Sequence, residues 1–128
     1  MKTILILSIL FSSMTFHVAL ASDFDGKQAS CSGDEDGVKV SLQLQFNNQK
    51  SDTFYLTIQR SGAPEENSSG EAKMGGGDGM NMATLTATDT QATKGTLRWW
   101  DTMIPPNLSL TGEANLIPLK CEGLPIHL

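Results

Sequence analysis

The chain has 128 residues, with nine lysines and arginines against 14 aspartates and glutamates, which gives a formal net charge of −5 at pH 7. A chain of this length accommodates one domain. Its acidic balance argues against nucleic-acid binding, because phosphate contacts need clustered lysine and arginine. The same excess of acids argues against docking on an anionic membrane surface. We therefore expect no nucleic-acid partner.

The amino-terminal segment has the pattern of a secretory signal peptide. A lysine precedes an apolar run over residues 4–11, and Ala19 and Ala21 frame a small-x-small cleavage site. A retained membrane anchor is the alternative, but a spanning helix needs roughly 20 mainly apolar residues, and serine, threonine and histidine interrupt this stretch. The sequence predicts a leader over residues 1–21 and one secreted β domain over residues 22–128, periplasmic or secreted, with no stable membrane span after cleavage.

The chain has two cysteines, Cys31 and Cys121. In an oxidising compartment an even pair predicts a disulfide. A metal site and free reactive thiols are the alternatives, although a cysteine pair without a close cysteine or histidine partner is a weak metal motif. A Cys31–Cys121 bond would make the two ends of the fold neighbours.

The strongest periodicity follows Cys31 in the chain. Residues 38–46 alternate apolar and polar side chains, and residues 53–60 repeat the pattern after a turn. Alternate residues of a strand point to opposite faces of its sheet. The two segments therefore predict a hairpin with one apolar and one polar face. The side chains expected on the apolar face are Val38, Val40, Leu42, Leu44, Phe46, Phe54, Leu56 and Ile58.

Residues 61–81 differ in composition from the strands before them. They combine proline, glutamate, asparagine and serine with a dense glycine cluster at positions 75, 76, 77 and 79. Such a segment has little apolar surface to bury. The composition predicts one long flexible loop, and long loops inside compact domains are often functional.

Four weaker strands follow, over residues 82–89, 93–100, 108–111 and 115–121. Pro118 lies in the last of these, and proline lacks the N–H donor that a central strand requires, so it predicts an edge or a bulge. Short strands with frequent turns and no helical periodicity are typical of all-β folds. We expect a small antiparallel β-barrel or β-sandwich of about 6–8 strands, with one long loop and one disulfide.

The sequence offers little for catalysis. After cleavage the remaining histidine is His127, next to the last residue. Nucleophilic and general-base mechanisms need a positioned imidazole, and chain ends are commonly poorly ordered. No phosphate-binding loop is present in the glycine cluster, because the lysine that should follow it is missing. We expect that the chain is not an enzyme, with no catalytic residue and no cofactor assigned.

The glycine cluster lies among three methionines, Met74, Met80 and Met82. Thioether sulfur is a soft ligand that suits Cu(I). The segment over residues 73–82 is similar to the methionine-rich loops of periplasmic copper carriers, without the nearby histidine of many such sites. Copper is therefore the one cofactor to consider. The alternative is that Met82 begins a strand and packs, with Met74 and Met80 beside it, since methionine is an adaptable filler.

Trp99 and Trp100 are adjacent in a predicted strand, so one must face the core and the other the opposite side. An outward tryptophan can stack on a sugar or anchor a protein partner. We expect an exported recognition module that binds an unidentified protein or glycan through the long loop and one of these tryptophans. A periplasmic Cu(I)-handling protein and a structural, envelope-associated protein are the alternatives.

Overall fold

A computed structural model describes residues 27–47 and 51–125. The predicted leader and His127 lie outside the described residues. Within them the chain forms strands joined by turns, in the order β1 (Gln28–Glu35), β2 (Val38–Gln45), β3 (Asp52–Arg60), β4 (Glu66–Gly77), β5 (Met80–Ala87), β6 (Thr93–Trp100), β7 (Asn107–Leu110), β8 (Ile117–Pro118) and β9 (Lys120–Glu122). No described segment is a helix long and apolar enough to span a bilayer.

The strands form one antiparallel sheet in which each of β1 to β8 pairs with its neighbour in the chain. The segment that contains β8 and β9 closes this sheet. β8 pairs with β7, one residue intervenes, and β9 then pairs with β1. The nine strands thus make a nearly closed barrel. Closure leaves few unpaired strand edges, which would otherwise invite pairing with other chains.

The apolar faces of the strands meet inside this barrel. Val40, Leu42 and Leu44 of β2 are buried, as are Phe54, Leu56 and Ile58 of β3, which confirms the predicted alternation. Small barrels are filled by their own inward side chains, and this one follows that rule. The buried cluster is completed by Ala29, Cys31, Phe46, Ala72, Ala83, Leu85, Leu97, Trp99, Leu108, Leu110, Ile117 and Leu119.

The predicted loop over residues 61–81 is wrong for most of its length. Residues 66–77 form β4, the longest strand, and a two-residue turn at Asp78 and Gly79 leads into β5. β4 buries only Ala72 fully, so its side chains carry little apolar signal. Its pairing with β3 on one side and β5 on the other holds it in the sheet. This is a case where tertiary context overrides weak strand propensity.

The strand count of nine also exceeds the predicted six to eight, because β4 was missed and residues 117–122 divide into two short strands. Pro118 lies in β8, at one end of the sheet order, as its missing N–H predicts.

Gly33 of β1 lies against the junction between β8 and β9. A Cβ atom at position 33 would collide with the Pro118 carbonyl oxygen. The absence of a side chain at Gly33 therefore lets the first and last strands approach.

The disulfide joins Cys31 and Cys121, which face each other directly in the β1–β9 ladder. The predicted bond is confirmed, and it clasps the first strand to the last. A stable disulfide indicates a non-reducing compartment, such as the periplasm or the extracellular space.

The two ends of the barrel carry different connections. We call the end with the 78–79 turn and the 101–106 loop the upper end. At the opposite, lower end, Arg60 pairs with Glu66 at 2.7 Å and with Glu113 at 3.3 Å, and Asn115 donates to a carboxylate oxygen of Asp36 at 2.6 Å. These links hold the β7–β8 loop across the lower end.

Candidate functional site

The two tryptophans face opposite sides of β6, as predicted, and the structure shows which is which. Trp99 points inward and is only 2% exposed. Its indole N–H donates to the backbone carbonyl of Pro125. Trp100 lies on the outer face and is half-buried. Trp99 is thus a core residue, and Trp100 is the tryptophan that a partner can reach.

Trp100 is part of a small cluster on the outer wall. Its cross-strand partner on β5 is Met80, and the next outward pair along the ladder is Met82 with Arg98. Outward side chains of directly paired residues lie about 4.5–5.5 Å apart at Cβ, close enough to contact. All four are half-buried. We call Met80, Met82, Arg98 and Trp100 the tryptophan patch.

The neighbouring strand leaves this patch open on one side. On β4 the residues opposite Met82 and Met80 are Gly75 and Gly77, and a Cβ atom built on either would meet nothing within 4 Å. Two methionine side chains therefore border bare backbone. Methionine is flexible and polarisable, so it adapts to the shape of a partner.

The loop that follows Trp100 exposes two large apolar side chains. Met103 is 98% exposed and Ile104 is 53% exposed, in contrast to the buried apolar residues of the strands. Single exposed apolar residues are ordinary. Two in succession, in the loop that begins directly after an outward tryptophan, add exposed apolar side chains to this end of the molecule.

Hydrogen bonds at the upper end fix where this loop leaves the barrel. The backbone N–H of Asp101 donates to the carbonyl of Gly79 at 3.0 Å. The side-chain amide of Asn81, which is buried at the barrel mouth, donates to the Asp101 carboxylate at 3.0 Å. The start of the loop is thereby tied to the β4–β5 hairpin. This tie holds Trp100 beside Met80.

The three methionines predicted as Cu(I) ligands lie on both faces of the sheet. Met80 and Met82 point outward from β5, whereas Met74 faces Ala83 on the inner side of the sheet and packs against the core. Met74 and Met80 both border a cleft of about 490 Å³ at the barrel mouth, and Met82 lies outside its lining. Met74, Met80 and Met82 thus all lie in strands and not in a loop, and their binding of Cu(I) stays a prediction.

Three residues of this region, Arg98, Met103 and Ile104, were not predicted as site residues from the sequence. The signal for Arg98 was present, because it alternates in phase with Trp100 and so shares its face. Met103 and Ile104 are apolar residues directly ahead of Pro105 and Pro106, in a segment that cannot continue a central strand. Their apolar character alone does not indicate exposure, since such residues are more often buried, so their place before two prolines was the one available signal of a loop.

Comparison with protein-family models, with curated proteins and with solved structures found no match to this chain. What the chain shows directly is its class, a small antiparallel β-barrel with a packed interior and one disulfide.

Proposed function

We propose that this domain is an exported, non-enzymatic recognition module that binds a protein partner through the tryptophan patch. The observation that carries the proposal is the half-buried Trp100 on the outer wall, paired with Met80 across the ladder and followed in the chain by the exposed Met103 and Ile104. Tryptophan, methionine and arginine are enriched in protein interfaces. Tryptophan and arginine also dominate the residues that cost most binding energy when truncated.

The neighbours of Trp100 favour a protein over a glycan. Sugar rings need hydrogen-bonding groups beside the aromatic ring, because their hydroxyls must exchange water for protein partners on binding. The side chains next to Trp100 on β5 are thioethers, which are weak acceptors, and the one strong hydrogen-bonding group within the patch is the Arg98 guanidinium, which only donates. An apolar side chain of a protein partner can pack on Trp100 and the two thioethers without needing hydrogen-bonding groups there.

The test is capture of a partner from an extract of the native compartment by the immobilised domain. Trp100→Ala should reduce the captured amount of a specific protein by about tenfold or more, because central tryptophans are common hot spots. Tyr55→Ala is the matched control, since Tyr55 is another outward aromatic, 49% exposed, on β3. Capture that is unchanged by Trp100→Ala, or equally reduced by Tyr55→Ala, contradicts the proposal.

A further inference from the structure

The outer wall around Trp100 has a charge opposite to that of the chain as a whole. The chain carries 14 acids against nine basic residues, yet the outward side chains of β5 and β6 include two cations and no acid. In chain order they are Met80, Met82, Thr84, Thr86, Lys94, Thr96, Arg98 and Trp100. The outer wall of β5 and β6 is therefore cationic, although the chain as a whole is acidic.

Arg98 is the cation closest to the tryptophan in this wall. It lies between Met82 on β5 and Asn107 on β7. It forms no ion pair and no side-chain hydrogen bond with another described residue. Arg60, in contrast, pairs with both Glu66 and Glu113. Within residues 27–47 and 51–125, the guanidinium of Arg98 thus has no acceptor, which leaves it able to bind one.

The acids near the patch belong to the upper end, not to its wall. Asp78 lies in the hairpin turn, and the Asp101 carboxylate accepts a hydrogen bond from Asn81 at the barrel mouth. The wall itself combines a fork of N–H donors with a tryptophan and two thioethers. A planar guanidinium binds a carboxylate through two parallel hydrogen bonds, and apolar neighbours strengthen such a pair by excluding water.

We infer that the partner is a protein segment of acidic character, in which an aspartate or glutamate binds Arg98 and an adjacent apolar side chain packs on Trp100 and Met80. This inference rests on the proposed function and adds the chemistry of the partner. The attraction between the partner's carboxylate and Arg98 is local to the patch, since the chain as a whole is acidic, and salt weakens it.

The experiment selects binders to the folded domain from a random-sequence peptide display library. We expect the enriched peptides to be acidic, with aspartate or glutamate beside an aromatic or aliphatic residue. The synthetic form of the most enriched peptide should bind Arg98→Gln about tenfold more weakly than the unchanged domain, and should bind more weakly as salt is raised. Arg98→Lys should recover only part of the affinity, because an ammonium lacks the planar fork.

Lys39→Gln is the matched control, since Lys39 is an exposed, outward cation on β2, away from the patch. It should leave peptide affinity unchanged. Enriched peptides that are neutral or basic, or whose affinity depends on Trp100 but not on Arg98, overturn the acidic partner while leaving the proposed function in place. Enriched peptides that bind Trp100→Ala as well as the unchanged domain overturn both. Circular dichroism and thermal unfolding of each variant verify that it is folded.

Discussion

Trp99 and Trp100 are neighbours in the chain but have different physical tasks. The indole of Trp99 fills the core, and its N–H satisfies the carbonyl of Pro125 near the end of the described chain. That bond attaches the segment after β9 to the barrel interior. Trp100 makes its contacts on the outer wall, where the same side chain contributes little to the closed core. Trp99 stabilises the fold, whereas Trp100 lies outside the core, where we propose that it binds a partner.

Conservative substitution separates the two tasks. Trp99→Phe keeps an aromatic ring but removes the donor to Pro125 and leaves that buried carbonyl unpaired, so we expect the free energy of unfolding to fall by about 2 kcal/mol. Trp100→Phe should change it by less than about 0.5 kcal/mol, as for most surface substitutions. Equilibrium urea unfolding measures both. Equal losses from the two variants would contradict the assignment of Trp99 to the core and Trp100 to the surface.

At the scale of elements, the β4–β5 hairpin matters most, because it places Met80 and Met82 beside β6. Its turn residues both have positive φ, 55° at Asp78 and 79° at Gly79. A two-residue hairpin turn of type I′ requires this conformation at both positions, which favours Asp-Gly. The β1–β2 hairpin uses the same pair, with φ of 51° at Asp36 and 80° at Gly37. The same type of two-residue turn, formed by an Asp-Gly pair, thus occurs in both hairpins.

A pair of glycine substitutions tests whether residues 66–87 form this hairpin. Gly79→Ala places a side chain at positive φ, where an L-residue costs roughly 1–2 kcal/mol, so stability should fall by about that amount. Gly75→Ala is the control, because Gly75 has no positive φ and open space where its Cβ would lie. Its effect should stay within about 0.5 kcal/mol. Thermal unfolding that shows no difference between the two would indicate a flexible loop instead.

The strands differ in how well the sequence alone predicts them. β2 and β3 were predictable, because Val40, Leu42 and Leu56 belong to regular alternations that only a half-buried strand explains. β4 was not predicted, since its position depends on partners supplied by β3 and β5 and not on its own apolar residues. Its turn could have been recognised from the Asp-Gly pair alone.

The candidate site, like the strands, is predictable from the sequence only in part. The alternation of Leu97 with Trp99 puts these two on one face and leaves Trp100 on the other, which is a local inference. The pairing of Met80 with Trp100 is not local, because it depends on the register between β5 and β6. That register is irregular between Leu85 and Thr86. A bulge of this kind adds a residue to one strand of a pair, and apolar periodicity alone does not locate it.

At the scale of the whole molecule, closure of the barrel depends on a short final segment. β8 and β9 together contribute only a few ladder pairs, with Asn107 and Leu108 on one side and with residues 30–32 on the other. The Cys31–Cys121 bond lies within the second of these ladders and joins residues 90 positions apart in the chain. The bond therefore reinforces the part of the sheet that has the fewest hydrogen bonds.

Reduction of this bond should destabilise the barrel without changing its architecture. Linking residues so far apart restricts the unfolded chain, and bonds of this kind typically contribute about 2–4 kcal/mol. We expect urea unfolding of the reduced protein to have a lower midpoint than unfolding of the oxidised protein, with a far-UV circular dichroism spectrum that stays β-type before the transition. Equal midpoints would show that β8 and β9 close the barrel unaided.

Because the tryptophan patch lies on β5 and β6, several strands away from β1 and β9 in the sheet order, the folded reduced domain should still bind a patch-dependent partner.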